Sequence, residues 1–347
     1  MTVLVDTLVW LWMLTDPDRI PSRARAVLAE DEPDPANRVG SRPLGRRELR
    51  PVRPERPSGR DPGRWGVTIS ARFAPSGLVG RLAGMARGRT SKQLVRRYSG
   101  AESSRAPDQV IVEEPLEIRL DGVRVTTTMR TPGHDYELAV GFCLTDGLLA
   151  GAPVQQVRYC ATGSAVDTKF NVVTVDTGGQ APEATPRLTT TTSSCGWCGT
   201  DEIDAVTDRL TSLAATPAIA PEVLMAMADR VAPQQELFDA TGGVHAAAAF
   251  TPDGEVLLVR EDIGRHNAVD KVVGRLLLDQ RLPAFELGLF VSGRASFEIV
   301  QKAWAGGFGT IVAVSAPTAL AVDTARAAGI TLVGFVRDGQ MNVYSPA

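Results

Sequence analysis

The sequence is poor in the residues that would support several common readings. It holds only four cysteines and three histidines in 347 residues. So few thiols do not make a secreted disulfide framework, and a chain of this length can bury its core without covalent staples. A structural zinc site draws four ligands, usually from two paired motifs. Here Cys195 and Cys198 form a single C-x-x-C, Cys143 and Cys160 lie apart, and His134, His245 and His266 are scattered. The zinc deaminases need an H-x-E before their C-x-x-C. The one candidate, His245-Ala246-Ala247, lacks the glutamate and follows the cysteine pair. Charge of one sign is also scarce: the net charge of −3 gives no basis for wholesale binding to nucleic acid or anionic membrane. No apolar run is long enough to span a bilayer. The segment VLVDTLVWLWML (3–14) is short, is interrupted by Asp6, and has no basic flank or small-residue cleavage site. The expected location is the cytoplasm.

What is present is ordinary for a soluble globular protein, 44% hydrophobic and 22% charged, with a length that suggests about two domains. The chain changes character along its length. Residues 1–31 have a folded pattern. Residues 33–64 are dominated by arginine and proline, and residues 65–107 stay polar and basic, with a short helix expected near Leu78–Met85. Such sequence buries too little apolar surface to offset its ordering entropy, so 32–107 is expected to be a disordered linker. From Val110 the pattern is dense. VIVEEPLEIRLDGVRVTTTMRT alternates like two strands joined at Asp121–Gly122, and HDYELAVGFCLTDGLL has helical spacing that ends at Gly147. The last third alternates strand-like and helix-like segments, among them RHNAVDKVVGRLLL, LGLFVSG, RASFEIVQKAWAGG, TIVAVSA, TALAVDTARAAG and TLVGFV. The fold class expected is α/β: a mixed, partly parallel sheet with flanking helices, plus a smaller β-rich N-terminal subdomain.

Two kinds of feature carry chemistry. The first is SSCGWCG (193–199), whose serine and glycine neighbours suit an exposed loop. A helix expected to begin at Thr200 would bring its positive end close to Cys198 and favour thiolate, the form that attacks sulfur or binds metal. A redox dithiol, a sulfur carrier and a metal half-site all remain compatible with these residues. Cys143, beside Phe142 and Leu144 in a helical pattern, is expected in the core. The second feature is a set of glycine-containing junctions: TGGVHAAAAF (241–250), EDIGRHNAVDKVVG (261–274), VSGRASFEIVQK (291–302) and FVRDGQMNVY (335–344). Each sets small residues and a polar or cationic group where a strand ends. Ser292, Gly293 and Arg294, and likewise Gly264, Arg265 and His266, would offer backbone N–H groups and a cation to an anion, phosphate above all. Four such junctions in one domain can converge on one sheet edge and hold a large anionic, nucleotide-bearing ligand.

These motifs, together with EEPLEIR (113–119), MRTPGHDYELAVGF (129–142) and VSAPTALAV (314–322), resemble the FdhD family of formate dehydrogenase accessory sulfurtransferases over about residues 85–347. The resemblance implies a cytidine deaminase-like fold without the zinc chemistry and a tendency to form homodimers. It implies that sulfur is taken as a persulfide from a cysteine desulfurase. The sulfur is then passed to a molybdenum or tungsten bis-molybdopterin guanine dinucleotide on its way to formate dehydrogenase. By the same resemblance Cys195 holds the persulfide and Cys198 is its partner. The segment Phe335, Val336, Arg337, Asp338, Gly339 and Gln340 contacts the cofactor, and no structural metal is implied. A non-catalytic cofactor-holding chaperone is the competing reading. Residues 3–30 resemble the start of a PIN-domain toxin, with Asp6 as a first acidic ligand whose partners have no counterpart; no nuclease activity is expected of this 1–31 remnant.

Overall fold

The computed structural model describes residues 88–100, 102–160, 165–166, 168–183, 213 and 217–345. Cys195, Cys198, the helix expected from Thr200, the PIN-like segment and the expected helix near Leu78–Met85 lie outside the described residues.

The described chain opens with a hairpin, β1 (Thr90–Ser99) and β2 (Glu102–Ile111), paired residue for residue across Gly100. This corrects the expectation of disorder through residue 107. Most positions of both strands are exposed and none is fully buried, so the hairpin has no buried face and no apolar alternation to betray it in the sequence. Its base is closed by Val112 N–H donating to the Arg89 carbonyl at 2.9 Å.

A four-stranded sheet follows. β3 (Glu114–Leu120) and β4 (Val123–Arg130) form the hairpin predicted at Asp121–Gly122, where both residues adopt positive φ. β5 (Gln156–Tyr159) and β6 (Val172–Asp176) complete the order β4-β3-β6-β5. One face of this sheet packs on α1 (Asp135–Thr145) through Leu116, Ile118, Val173 and Val175 against Leu138, Val140 and Phe142. Cys143 is fully buried there, as its sequence neighbours predicted, and burial pushes its thiol pKa far up, leaving it inert.

The larger layer is a six-stranded sheet. Its strands are β7 (His245–Phe250), β8 (Val256–Asp262), β9 (Gly288–Val291), β10 (Thr310–Ala313), β11 (Thr331–Arg337) and β12 (Gln340–Ser345). The order is β12-β11-β10-β9-β7-β8, with β9, β10 and β11 parallel and β7 and β12 antiparallel to their neighbours. The central strands GLFV and TIVA are buried at every residue, as strands covered on both faces must be. On one face lie α4 (Arg265–Leu278), α5 (Phe297–Ala305) and α6 (Ala319–Ala328). In α4, Ala268, Val269, Val272, Val273 and Leu276 recur at helical spacing and form the stripe that meets the sheet. The other face is covered by α2 (Pro221–Val231) through Leu224, Met227 and Val231; the short α3 (Glu236–Thr241) follows.

The two layers are joined where α1 crosses α4. A Cβ at Gly141 would stand 1.9 Å from the Asp270 carbonyl oxygen, and one at Gly274 would stand 1.8 Å from that of Glu137. The two backbones touch because neither helix has a side chain at the crossing. Among the described residues no helix is long and apolar enough to cross a membrane.

Candidate functional site

β8, β9, β10 and β11 run in one direction, so their C-terminal ends share one edge of the six-stranded sheet; β7 runs the other way and begins there. The topology therefore brings three of the four predicted junctions to one edge directly. The fourth, TGGVHAAAAF, joins them as a strand start.

At the β8 end, Asp262 fixes the turn into α4. Its carboxylate accepts from Gly264 N at 2.9 Å, from Asn267 Nδ2 at 3.0 Å and from Thr131 N at 3.1 Å, and it meets Lys271 Nζ at 2.6 Å with both side chains fully buried. Every acceptor of this carboxylate is used, so the group serves position rather than chemistry. What it positions is Gly264, the residue before α4, and Arg265, the first residue of that helix. At the β9 end, Ser292 exchanges two hydrogen bonds with Ala246 of β7, its N–H to the Ala246 carbonyl and its hydroxyl accepting from Ala246 N, both at 2.9 Å. Gly293 is buried against its neighbours: a Cβ there would lie 3.3 Å from His245 Nδ1 and 3.6 Å from Arg265 Cδ. Ser292, Gly293, Arg265 and His245 thus form one cluster, with Arg294 exposed beside it. Burial holds the His245 imidazole below its usual pKa, and the charges of Arg265 and Arg294 add to that effect while Asp262 opposes it. The sequence set His245 aside as a zinc ligand and placed it in the TGGVHAAAAF junction; that it opens a strand antiparallel to β9 was not visible from spacing.

His266 departs from the predicted role. Its ring is buried and turns toward the start of α5, with Nε2 3.3 Å from Glu298 Oε2 and 3.4 Å from Ser296 Oγ, so it braces two helices. The segment 335–340 also differs from the strand-to-helix junctions it was grouped with. β11 continues through a bulge at Phe335 (φ 56°) into a turn at Asp338–Gly339, where both residues have positive φ, and returns as β12. Phe335 N–H meets the Ser315 carbonyl at 3.3 Å, which seats the bulge against the loop after β10. Val336 is fully buried in the core, so only its backbone can face a ligand, while Arg337, Asp338, Gly339 and Gln340 are exposed. The loops after β9 and β10 are linked by a bridge between Ala295 and Pro317.

Chemically this edge offers exposed Arg294 and Arg337, Arg265, and the N-terminal ends of α4 and α5. Neither helix has a side-chain cap on its first N–H groups, whereas Thr318 caps α6 through Ala321 N at 3.2 Å. Uncapped helix starts beside guanidinium groups suit an anion carrying several oxygens. Among the described residues no group of three or more His, Cys, Asp or Glu side chains is spaced to hold a metal.

The remaining charge lies beneath the edge, and it is paired. Lys302 Nζ, fully buried, donates to both Asp270 oxygens at 2.9 Å and lies 3.0 Å from Thr145 Oγ1, locking α5, α4 and α1 together. Burial alone would lower the Lys302 pKa, but the Asp270 and Asp146 carboxylates raise it. Glu137 on α1 binds Arg260 of β8 at 2.5 Å and 2.9 Å. Burial would raise its pKa; hydrogen bonds from His134 and Arg260 outweigh that and bring it down to about 2.

A family model described as the FdhD/NarQ family matches residues 111–347. Among curated proteins, the "Sulfur carrier protein FdhD" of Streptomyces coelicolor is 51% identical over 265 residues, which cover 74% of this chain and 93% of the relative. The protein of the same description from Mycobacterium tuberculosis is 46% identical over 271 residues, covering 74% of this chain and 97% of the relative. Among solved structures, a formate dehydrogenase accessory protein from Desulfotalea psychrophila aligns with a TM-score of 0.61 at 20% identity, covering 74% of this chain and 98% of that one, a likeness of fold.

Proposed function

The chain belongs to the FdhD/NarQ family, and from that premise we propose that it is a sulfur carrier serving formate dehydrogenase, with Cys195 as the carrying thiol. The observation that supports this most is the extent of the match to sulfur carriers, which reaches half identity over nearly their whole length, in a chain that carries SSCGWCG at 193–199.

The proposed chemistry balances as follows. The Cys195 thiolate attacks the outer sulfur of a cysteine desulfurase persulfide; the donor S–S bond breaks and its electron pair leaves on the donor thiolate. The product is a Cys195 persulfide, with no net oxidation. Attack of the Cys198 thiolate on the inner sulfur then forms a Cys195–Cys198 disulfide and releases the outer sulfur as HS⁻, at the oxidation level of a terminal metal ligand. An external dithiol returns the pair to its starting state. The acceptor in this reading is the metal of a bis-molybdopterin guanine dinucleotide, bound as substrate. Its phosphates supply the anionic oxygens that the edge built from Gly264, Arg265, Ser292, Gly293, Arg294 and Phe335–Gln340 is suited to hold. A cytidine deaminase-like fold, a cytoplasmic location and a homodimer belong to the same reading.

The test is mass spectrometry of the Cys195 peptide after incubation with a cysteine desulfurase and isotope-labelled cysteine. A gain of one labelled sulfur that chases onto the cofactor supports the carrier. Cofactor binding without labelling would replace it with a non-catalytic chaperone. In the Cys195→Ala variant the dehydrogenase should fail to mature.

A further inference from the structure

We propose that the β1–β2 hairpin is an arm that docks on the acidic body of a second copy of this chain. In an antiparallel ladder, directly opposed residues share a face. The register therefore gathers Lys92, Leu94, Arg96 and Tyr98 of β1 with Arg105 and Pro107 of β2 on one face, without a single acidic residue. Arg96 stands directly opposite Arg105. Like charges in that position repel, and neither guanidinium has an ion pair among the described residues. On the opposite face, by contrast, Arg97 lies 3.9 Å from Asp108. Leu94 and Tyr98 on the basic face are 68% and 67% exposed. A two-stranded hairpin is marginal alone in water, and one that leaves both apolar side chains and an uncompensated arginine pair on one face is completed by a partner.

The charge of the rest of the chain identifies that partner. Residues 88–111 hold five basic and two acidic side chains, whereas residues 112–347 hold 17 basic and 28 acidic ones. Arm against arm repels and arm against body attracts, so two copies related by a two-fold axis can satisfy both arms reciprocally. This deepens the homodimer of the proposed function by naming its surface.

The test uses the full chain. Sedimentation velocity at low and high salt compares the wild type with Arg96→Glu/Arg105→Glu and Leu94→Ser/Tyr98→Ser. A photo-crosslinking residue at position 98 is then activated in a mixture of isotope-labelled and unlabelled protein. The expected result is a salt-sensitive wild-type dimer, at least about tenfold weaker in each variant, with cross-links that join labelled to unlabelled chains and land beyond residue 111. The arm lies outside the three apolar clusters, so the variants keep the wild-type fold, read by circular dichroism. A wild-type chain that is monomeric at every concentration overturns both dimer and arm. A dimer untouched by either variant, or cross-links confined within one chain, overturns the arm alone. Association with a foreign acidic protein in place of a second copy overturns the assigned partner.

Discussion

The interior beneath the six-stranded sheet and the edge at the ends of its strands are both rich in charge, yet they use it in opposite ways. Inside, Lys271 has Asp262, Lys302 has Asp270 and Arg260 has Glu137, each pair buried or nearly so. At the edge, Arg294 and Arg337 stand exposed with no ion pair among the described residues, and the His245 ring lies against Gly293. Charge that is paired and dry holds elements in register. Charge left open beside uncapped helix starts is available to a ligand. The difference can be broken from either side.

The most severe effect is expected at the crossing that lets the interior close. Gly141→Val places side-chain atoms where even a Cβ meets the Asp270 carbonyl oxygen. The helices must part, and chemical denaturation should show loss of the cooperative transition. Next is Lys302→Met, which leaves Asp270 buried and uncompensated; the expected loss is about 4 kcal/mol by urea unfolding, and Lys302→Met/Asp270→Leu should recover most of it. Third is acid. Glu137 has a folded-state pKa depressed from 4.5 to about 2, so its contribution is present above pH 4.5 and is lost as pH falls toward 2, at most about 3 kcal/mol. Asp270 has the opposite sign: burial pushes it up to about 6 against the pull of Lys302, so the folded chain takes up that proton first and gains relative stability as pH falls from 6 to 3.8. Glu137→Gln should flatten the acid limb of a stability–pH curve. The smallest change in stability belongs to the edge. Arg294→Ala should alter it by less than about 0.5 kcal/mol, while weakening binding of guanosine diphosphate, read by calorimetry, about tenfold. Unchanged binding would remove Arg294 from the site.

Much of this arrangement was legible because local and global preferences agree. RHNAVDKVVGRLLL has one apolar stripe and became α4 with the bounds its pattern suggests; the Asp121–Gly122 pair made the turn it is suited to. Three things were hidden, each for a physical reason. The β1–β2 hairpin has no buried face, so period-two alternation never forms. His266 sits among polar neighbours that suggest a ligand, but its direction is set by where α5 starts. Val336 lies in a segment whose resemblance points to the cofactor, yet a bulge at Phe335 turns its side chain into the core.

The sequence by itself determined the types of the strands and helices that bury a face, the burial of Cys143 and the family, because propensity, periodicity and motif order are written in adjacent residues. Only the tertiary structure decided that His245, Arg265 and Gly293 meet. Their proximity depends on β7 running against β8 and β9, a choice made by strands that pair across tens of residues and that no local pattern records.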